Sequence, residues 1–111
     1  MSPRNWQERI RDILDAITEI NSFTSGMSFE KFQGDEKTIK AVELDLIVIG
    51  EAANQIPAEV EDAHPEVPWH LMRAMRNRLV HIYFLVDARL LWDTIQSDLP
   101  KIVLSLGALL Q

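Results

Sequence analysis

Between Asp35 and Ile56 the apolar residues Ile39, Val42, Leu46, Ile49, Ala53 and Ile56 recur in steps of three and four, the period of an α-helix and not of a strand. Leu44, Ile47 and Val48 make much of the opposite side apolar too. A helix of this kind is expected at the centre of its fold, packed on more than one side. Asp35 is placed to cap it, and it is expected to run to about Gln55. Gly50 lies inside it and is read as the close approach of a neighbouring helix. Glu51 and Asn54 fall on the narrower polar face, which is read as solvated, with the lining of a site as the alternative.

The other segments follow the same period. Ser2-Pro3 resembles an N-cap with proline at the first helical position. From there Trp6, Ile10, Ile13, Leu14, Ile17 and Ile20 mark a first helix over about 3–21. Ser22–Ser28 reads as a connector, and Phe29–Phe32 as a short helical turn before Gly34. Pro57, Pro65 and Pro68 mark a connector over Pro57–Val67, with His64 exposed in it. After a helix from Trp69 and a turn at Phe84–Val86, Asp87 caps a last helix. Its stripe is Leu91, Ile95, Leu99, Ile102, Leu106 and Leu109, widened by Trp92, Val103 and Leu110, with a kink at Pro100. The expected fold is all-α: an antiparallel bundle of four main helices plus a short one.

Length and composition agree. The 111 residues, 47% hydrophobic and 25% charged, describe one globular domain over 1–111. Having no cysteine, the chain can form neither disulfides nor cysteine-based zinc sites, which is compatible with a reducing cytoplasm, the expected location. No apolar run approaches the roughly 20 residues that span a bilayer, and neither a signal peptide nor a membrane helix is evident.

Charge singles out the segment Trp69–Phe84. The chain carries formal net charge -6, yet this stretch holds Arg73, Arg76 and Arg78 and no acid, so it stands at +3 against -9 for the rest. An acidic protein with one wholly basic stretch is expected to keep a site there for an anion. On a helical wheel with Arg76 at zero, Leu71, Met72, Met75, Leu79, Ile82 and Val86 form an apolar arc between about 220° and 320°. The opposite arc runs from Tyr83 at about -20° through Arg76, Arg73 and Asn77 to His81 at about 140°, with Arg78 on the border. Arg76 and His81 share a broad face without being adjacent, so a second copy of the face is needed for both to meet one phosphate. His70 falls on the same side as His81, and a helper role for it is the less favoured reading.

Arg76-Asn77, three further residues, His81, one residue and Tyr83 resemble the signature of the HepT branch of the HEPN superfamily. Ile49–Ile56 (IGEAANQI), Val67–Trp69, Met75–His81 (MRNRLVH) and Leu91–Pro100 (LWDTIQSDLP) extend the resemblance over most of the chain. It implies a metal-independent endoribonuclease, active as a homodimer, or a higher oligomer built on it, whose two basic helices share one cleft. It also implies a toxin of a toxin–antitoxin pair, silenced when a minimal nucleotidyltransferase (MntA-like) antitoxin attaches AMP to Tyr83. No cofactor and no metal are expected.

The residue chemistry suits that activity. RNA supplies its own nucleophile, the 2′-hydroxyl. His81 can exchange a proton near neutral pH. Arg76 brings a permanent charge and a planar fork of donors to phosphate oxygens. Asn77 is expected to orient the histidine or the RNA, and Arg73 and Arg78 to hold flanking phosphates. Two readings compete with it: a solvated basic face paired to nearby acids, and a non-catalytic HEPN-like subunit that binds a nucleotidyltransferase or a nucleotide.

Overall fold

The computed structural model describes the backbone of residues 5–81 and 87–110, and the side chains of 5–77 and 87–110. Among the described residues every regular element is helical. They are α1 (Trp6–Thr24), α2 (Phe29–Gln33), α3 (Glu36–Asn54), α4 (Ala58–Ala63), α5 (Trp69–His81), α6 (Ala88–Asp93), a π-helical turn (Thr94–Asp98), α7 (Leu99–Gly107) and a closing 3-10 turn (Ala108–Leu110).

α1 starts later than expected. Asn5 caps it by accepting from the Glu8 amide at 2.8 Å, whereas Ser2 and Pro3 lie outside the described residues. The Asn5-x-x-Glu8 spacing is the sequence mark of an N-terminus that the proline reading passed over. The helix also runs on to Thr24, whose hydroxyl donates back to the Ile20 carbonyl at 2.9 Å, and Gly26 then turns the chain at φ 76°. Ser28 caps α2, and Asp35 caps α3 by accepting from the Thr38 amide. That backbone N–H holds the Asp35 carboxyl below its ordinary range.

α3 is central, as its two-sided apolar pattern requires: it packs most extensively on α5 and on α1. Val42, Leu46, Ile49 and Ala53 are buried in one core cluster with Ile10, Ile13 and Ile17 of α1 and Met72 and Met75 of α5. The expectation fails at two positions, since Leu44 and Val48 stay 63% and 37% exposed. α2 is fastened to the C-terminal helices by aromatic contact, with Phe32 buried and its ring 5.2 Å from that of Trp92.

The connector Pro57–Val67 contains a second short helix, α4, that the sequence reading missed. None of its residues is buried, so it has no apolar stripe to betray it. Pro57 occupies its N-cap, and Glu59 and Glu61 place negative charge in the first turn, where the helix dipole favours it. The Trp69 indole donates to the His64 carbonyl at 3.0 Å and ties the connector to the start of α5. His64 is half-buried, with Nδ1 3.3 Å from Glu66.

The interruption expected at Pro100 takes the form of the π turn just before it. Pro100 has no N–H to give and its ring crowds the preceding turn. The ladder widens there, and the Leu99 N–H reaches the Thr94 carbonyl five residues back. Leu91, Ile95, Leu99, Ile102 and Leu106 are buried on both sides of the irregularity, so the apolar stripe survives it.

Candidate functional site

The position of α5 is set by Gly50. A methyl group built on this glycine would lie 2.1 Å from Arg76 Cβ, 3.0 Å from the Met72 carbonyl oxygen and 3.1 Å from Arg76 Cα. No side chain fits in that space. The two backbones meet here, and the meeting point is the residue on which the basic face is centred.

Arg76 is held from two directions. Its Nε donates to Glu51 Oε1 at 2.6 Å, and its Nη1 donates to Asn77 Oδ1 at 3.0 Å. Glu51 follows Gly50 on α3, so the close approach that excludes a side chain at one position delivers a carboxylate from the next. Arg73 is paired in the same manner with Glu61 of α4. The basic stretch is therefore not a bare cationic surface: acids from α3 and α4 face two of its three arginines. Glu51 is exposed, as its place on the polar face implied, and with its side chain still half exposed it also pairs with Arg76. Two donors of the Arg76 fork are engaged, which fixes the guanidinium plane while its other N–H groups remain for an anion.

His81 is the last residue of α5, five positions beyond Arg76, a rise of roughly 7.5 Å along the axis. The side chains of Arg78 and His81 lie outside the described residues, as does Tyr83. Asn54 is exposed at the end of α3. His70 is exposed in the first turn of α5, and the roughly 16 Å of axial rise to His81 keeps the two from one small ligand within a chain.

Signals for Glu51 and Glu61 were weak in the sequence. Glu51 was visible as a polar residue beside a helical glycine, but the partner of each carboxylate lies on another helix. Spacing along the chain does not report such pairs.

The helical fold and the arginine-bearing α5 define an all-α protein with a basic helix as its candidate site. A family model described as "Ribonuclease HepT-like" matches residues 13–107, and the chain belongs to that HepT-like family. It is 43% identical over 99 residues to "Probable ribonuclease HepT" of Thermococcus cleftensis, covering 89% of this chain and 90% of that one. It is 36% identical over 101 residues to "Putative RNase MJ0127" of Methanocaldococcus jannaschii, covering 91% and 84%. A third relative, "Putative RNase TTE0752" of Caldanaerobacter subterraneus, is 34% identical over 110 residues, covering 99% and 96%. No solved structure gave a significant match.

Proposed function

We propose that the protein is an endoribonuclease that cleaves RNA without a metal, through Arg76 and His81 brought together from two chains of a homodimer. The observation that carries this reading is the anchored guanidinium. Arg76, fixed by Glu51 and Asn77, sits on the helix that also bears His81. The RNase names of the relatives support the substrate class.

In the proposed reaction one histidine removes the proton of a 2′-hydroxyl, which attacks the adjacent phosphorus. The P–O5′ bond breaks, and the histidine of the second chain protonates the departing oxygen, leaving a 2′,3′-cyclic phosphate and a 5′-hydroxyl. The Arg76 fork stabilises the charge gathering on the phosphoryl oxygens, an electrostatic contribution larger than that of proton transfer alone. Asn77 keeps Arg76 in place, and Arg73 and Arg78 hold neighbouring phosphates. In this reading the protein is the toxin of a toxin–antitoxin pair, and a minimal nucleotidyltransferase partner silences it by joining AMP to Tyr83. The added nucleotide then competes with RNA for the arginine-lined cleft.

One observation favours a second reading, a non-catalytic partner of such a nucleotidyltransferase: both Arg73 and Arg76 already face carboxylates. Cleavage of purified cellular RNA separates the two. Wild type is expected to cut with or without EDTA, and His81→Ala to lose roughly 100-fold or more. Equal inertness of wild type and variant favours the binding module instead.

A further inference from the structure

Leu44, Asp45 and Val48 lie roughly 120–160° around α3 from Gly50, on the side away from α5. There Asp45 and Val48 join Asp12, Asp15, Ala16 and Glu19 of α1 around an open groove of about 240 Å³. Four of these six residues are acidic, and among the described residues no base lines the groove. Acidity alone would mark an ordinary solvated face.

Asp45 makes it something else. It is only 7% exposed, and its Oδ2 has no hydrogen-bond partner among the described residues. Carboxylate oxygens hidden from water are normally satisfied, because leaving one unsatisfied forfeits its hydration for nothing. Burial, and then the Glu19 carboxylate beside it, through its charge and a side-chain hydrogen bond, push the Asp45 carboxyl up to about 6. Oδ2 is thus short of a donor even though the carboxyl meets Glu19, in a groove lined by four acids.

Two features decide what kind of donor fits. No set of acidic side chains among the described residues converges as a metal site would require, so a cation carrying its own N–H donors suits the groove better than a bare ion. Val48 lines the groove and Leu44, one helical turn away, continues the exposed apolar surface past its edge, and a small hydrated cation would leave both uncovered. We propose that the α1–α3 groove is a docking site for a protein partner that inserts a basic side chain against Asp45 and covers Leu44 and Val48 with aliphatic neighbours. The incoming guanidinium or ammonium donates to Oδ2, and any proton held by Asp45 leaves to solvent. The site lies across α3 from Arg76, so it stands or falls independently of the catalytic reading.

The test uses the isotope-labelled full chain at pH 7. The amide signals of Ala16 and Val48 are followed while three probes are added: a short helical peptide with one arginine between leucines, the same peptide with citrulline, and spermidine. The arginine peptide is expected to bind saturably, and at least roughly tenfold tighter than either comparison probe. Asp45→Asn is expected to weaken it by roughly tenfold, and Leu44→Ser by roughly threefold. Absence of saturable shifts, equal binding of the citrulline peptide, or equal binding of spermidine overturns the proposal, the last by showing a site for small cations. Should Asp45→Asn fail to fold, the comparison of arginine with citrulline on wild type still decides.

Discussion

The two sides of α3 handle charge in opposite ways. Toward α5, the backbones touch at Gly50, and the neighbouring Glu51 meets Arg76 at 2.6 Å, so each charge has a partner. Toward α1, the helices leave a groove in which Asp45 is buried beside a like charge and its Oδ2 accepts nothing. Close contact is possible on the first side because a glycine removes the obstacle, and pairing follows from proximity. On the second side the approach leaves space, and Asp45 and Glu19 bring like charges together beside it. One helix thus carries a preorganised site on one face and an unfinished one on the other.

The comparison is broken most directly at Arg76. Arg76→Ala is expected to lower RNA cleavage by roughly 100- to 1,000-fold, as removal of a positioned charge stabiliser does, read as single-turnover rates on a labelled RNA. Cleavage undiminished by this change would leave the α5 side with no more chemistry than the groove.

Next comes the contact itself. Gly50→Ala gains about 1 kcal/mol in helix propensity. It must also force α3 and α5 apart, because backbone atoms as well as Arg76 Cβ occupy the space, and overpacking of this kind costs up to about 3 kcal/mol. A net loss of about 2 kcal/mol in urea unfolding is expected. Val48→Ala on the open face is expected to cost about 0.5 kcal/mol, and similar losses for the two would erase the distinction between the faces.

Asp45→Asn is expected to stabilise the protein by about 1 kcal/mol at pH 7, the scale of a buried group left without a partner. Because the carboxyl titrates near 6 in the fold, above its ordinary 3.8, the fold favours its protonated form. Stability from this group is present at low pH, falls as pH rises from about 3.8 to 6, and stays reduced above that. The advantage of the asparagine should therefore disappear near pH 4 in thermal unfolding. The same gain at both pH values would mean that the charge of Asp45 is not what the groove resists.

Glu51→Gln sharpens the comparison with the smallest effect on stability. The pair is partly exposed, so unfolding is expected to change by no more than about 0.5 kcal/mol. Cleavage should nevertheless fall several-fold, because the Arg76 fork loses one of its two anchors. A stability loss with unaltered cleavage would make the pair structural.

The helices were legible wherever burial leaves a periodic trace. The stripes of α1, α3 and the C-terminal run, the caps at Asp35 and Asp87, and the close approach at Gly50 all follow from local pattern. α4 was not, because a six-residue helix that leans on the core through Val60, with no fully buried residue, writes no apolar period. Leu44 and Val48 misled for the converse reason: apolarity states what a side chain favours, and only packing decides whether a neighbour reaches it. Of the candidate site, the arginines and their helix were visible in the sequence, but their carboxylate partners were not.

By itself, then, the order of residues determined the helical period, the placement of Arg73, Arg76 and Asn77 on α5, and the family resemblance. Tertiary structure alone decided that Glu51 and Glu61 meet those arginines and that Asp45 is hidden with an oxygen unsatisfied. The division has a physical cause. Helical period and capping act within a few residues along the chain, whereas ion pairing and desolvation depend on distances between helices, which are set by what the core can bury.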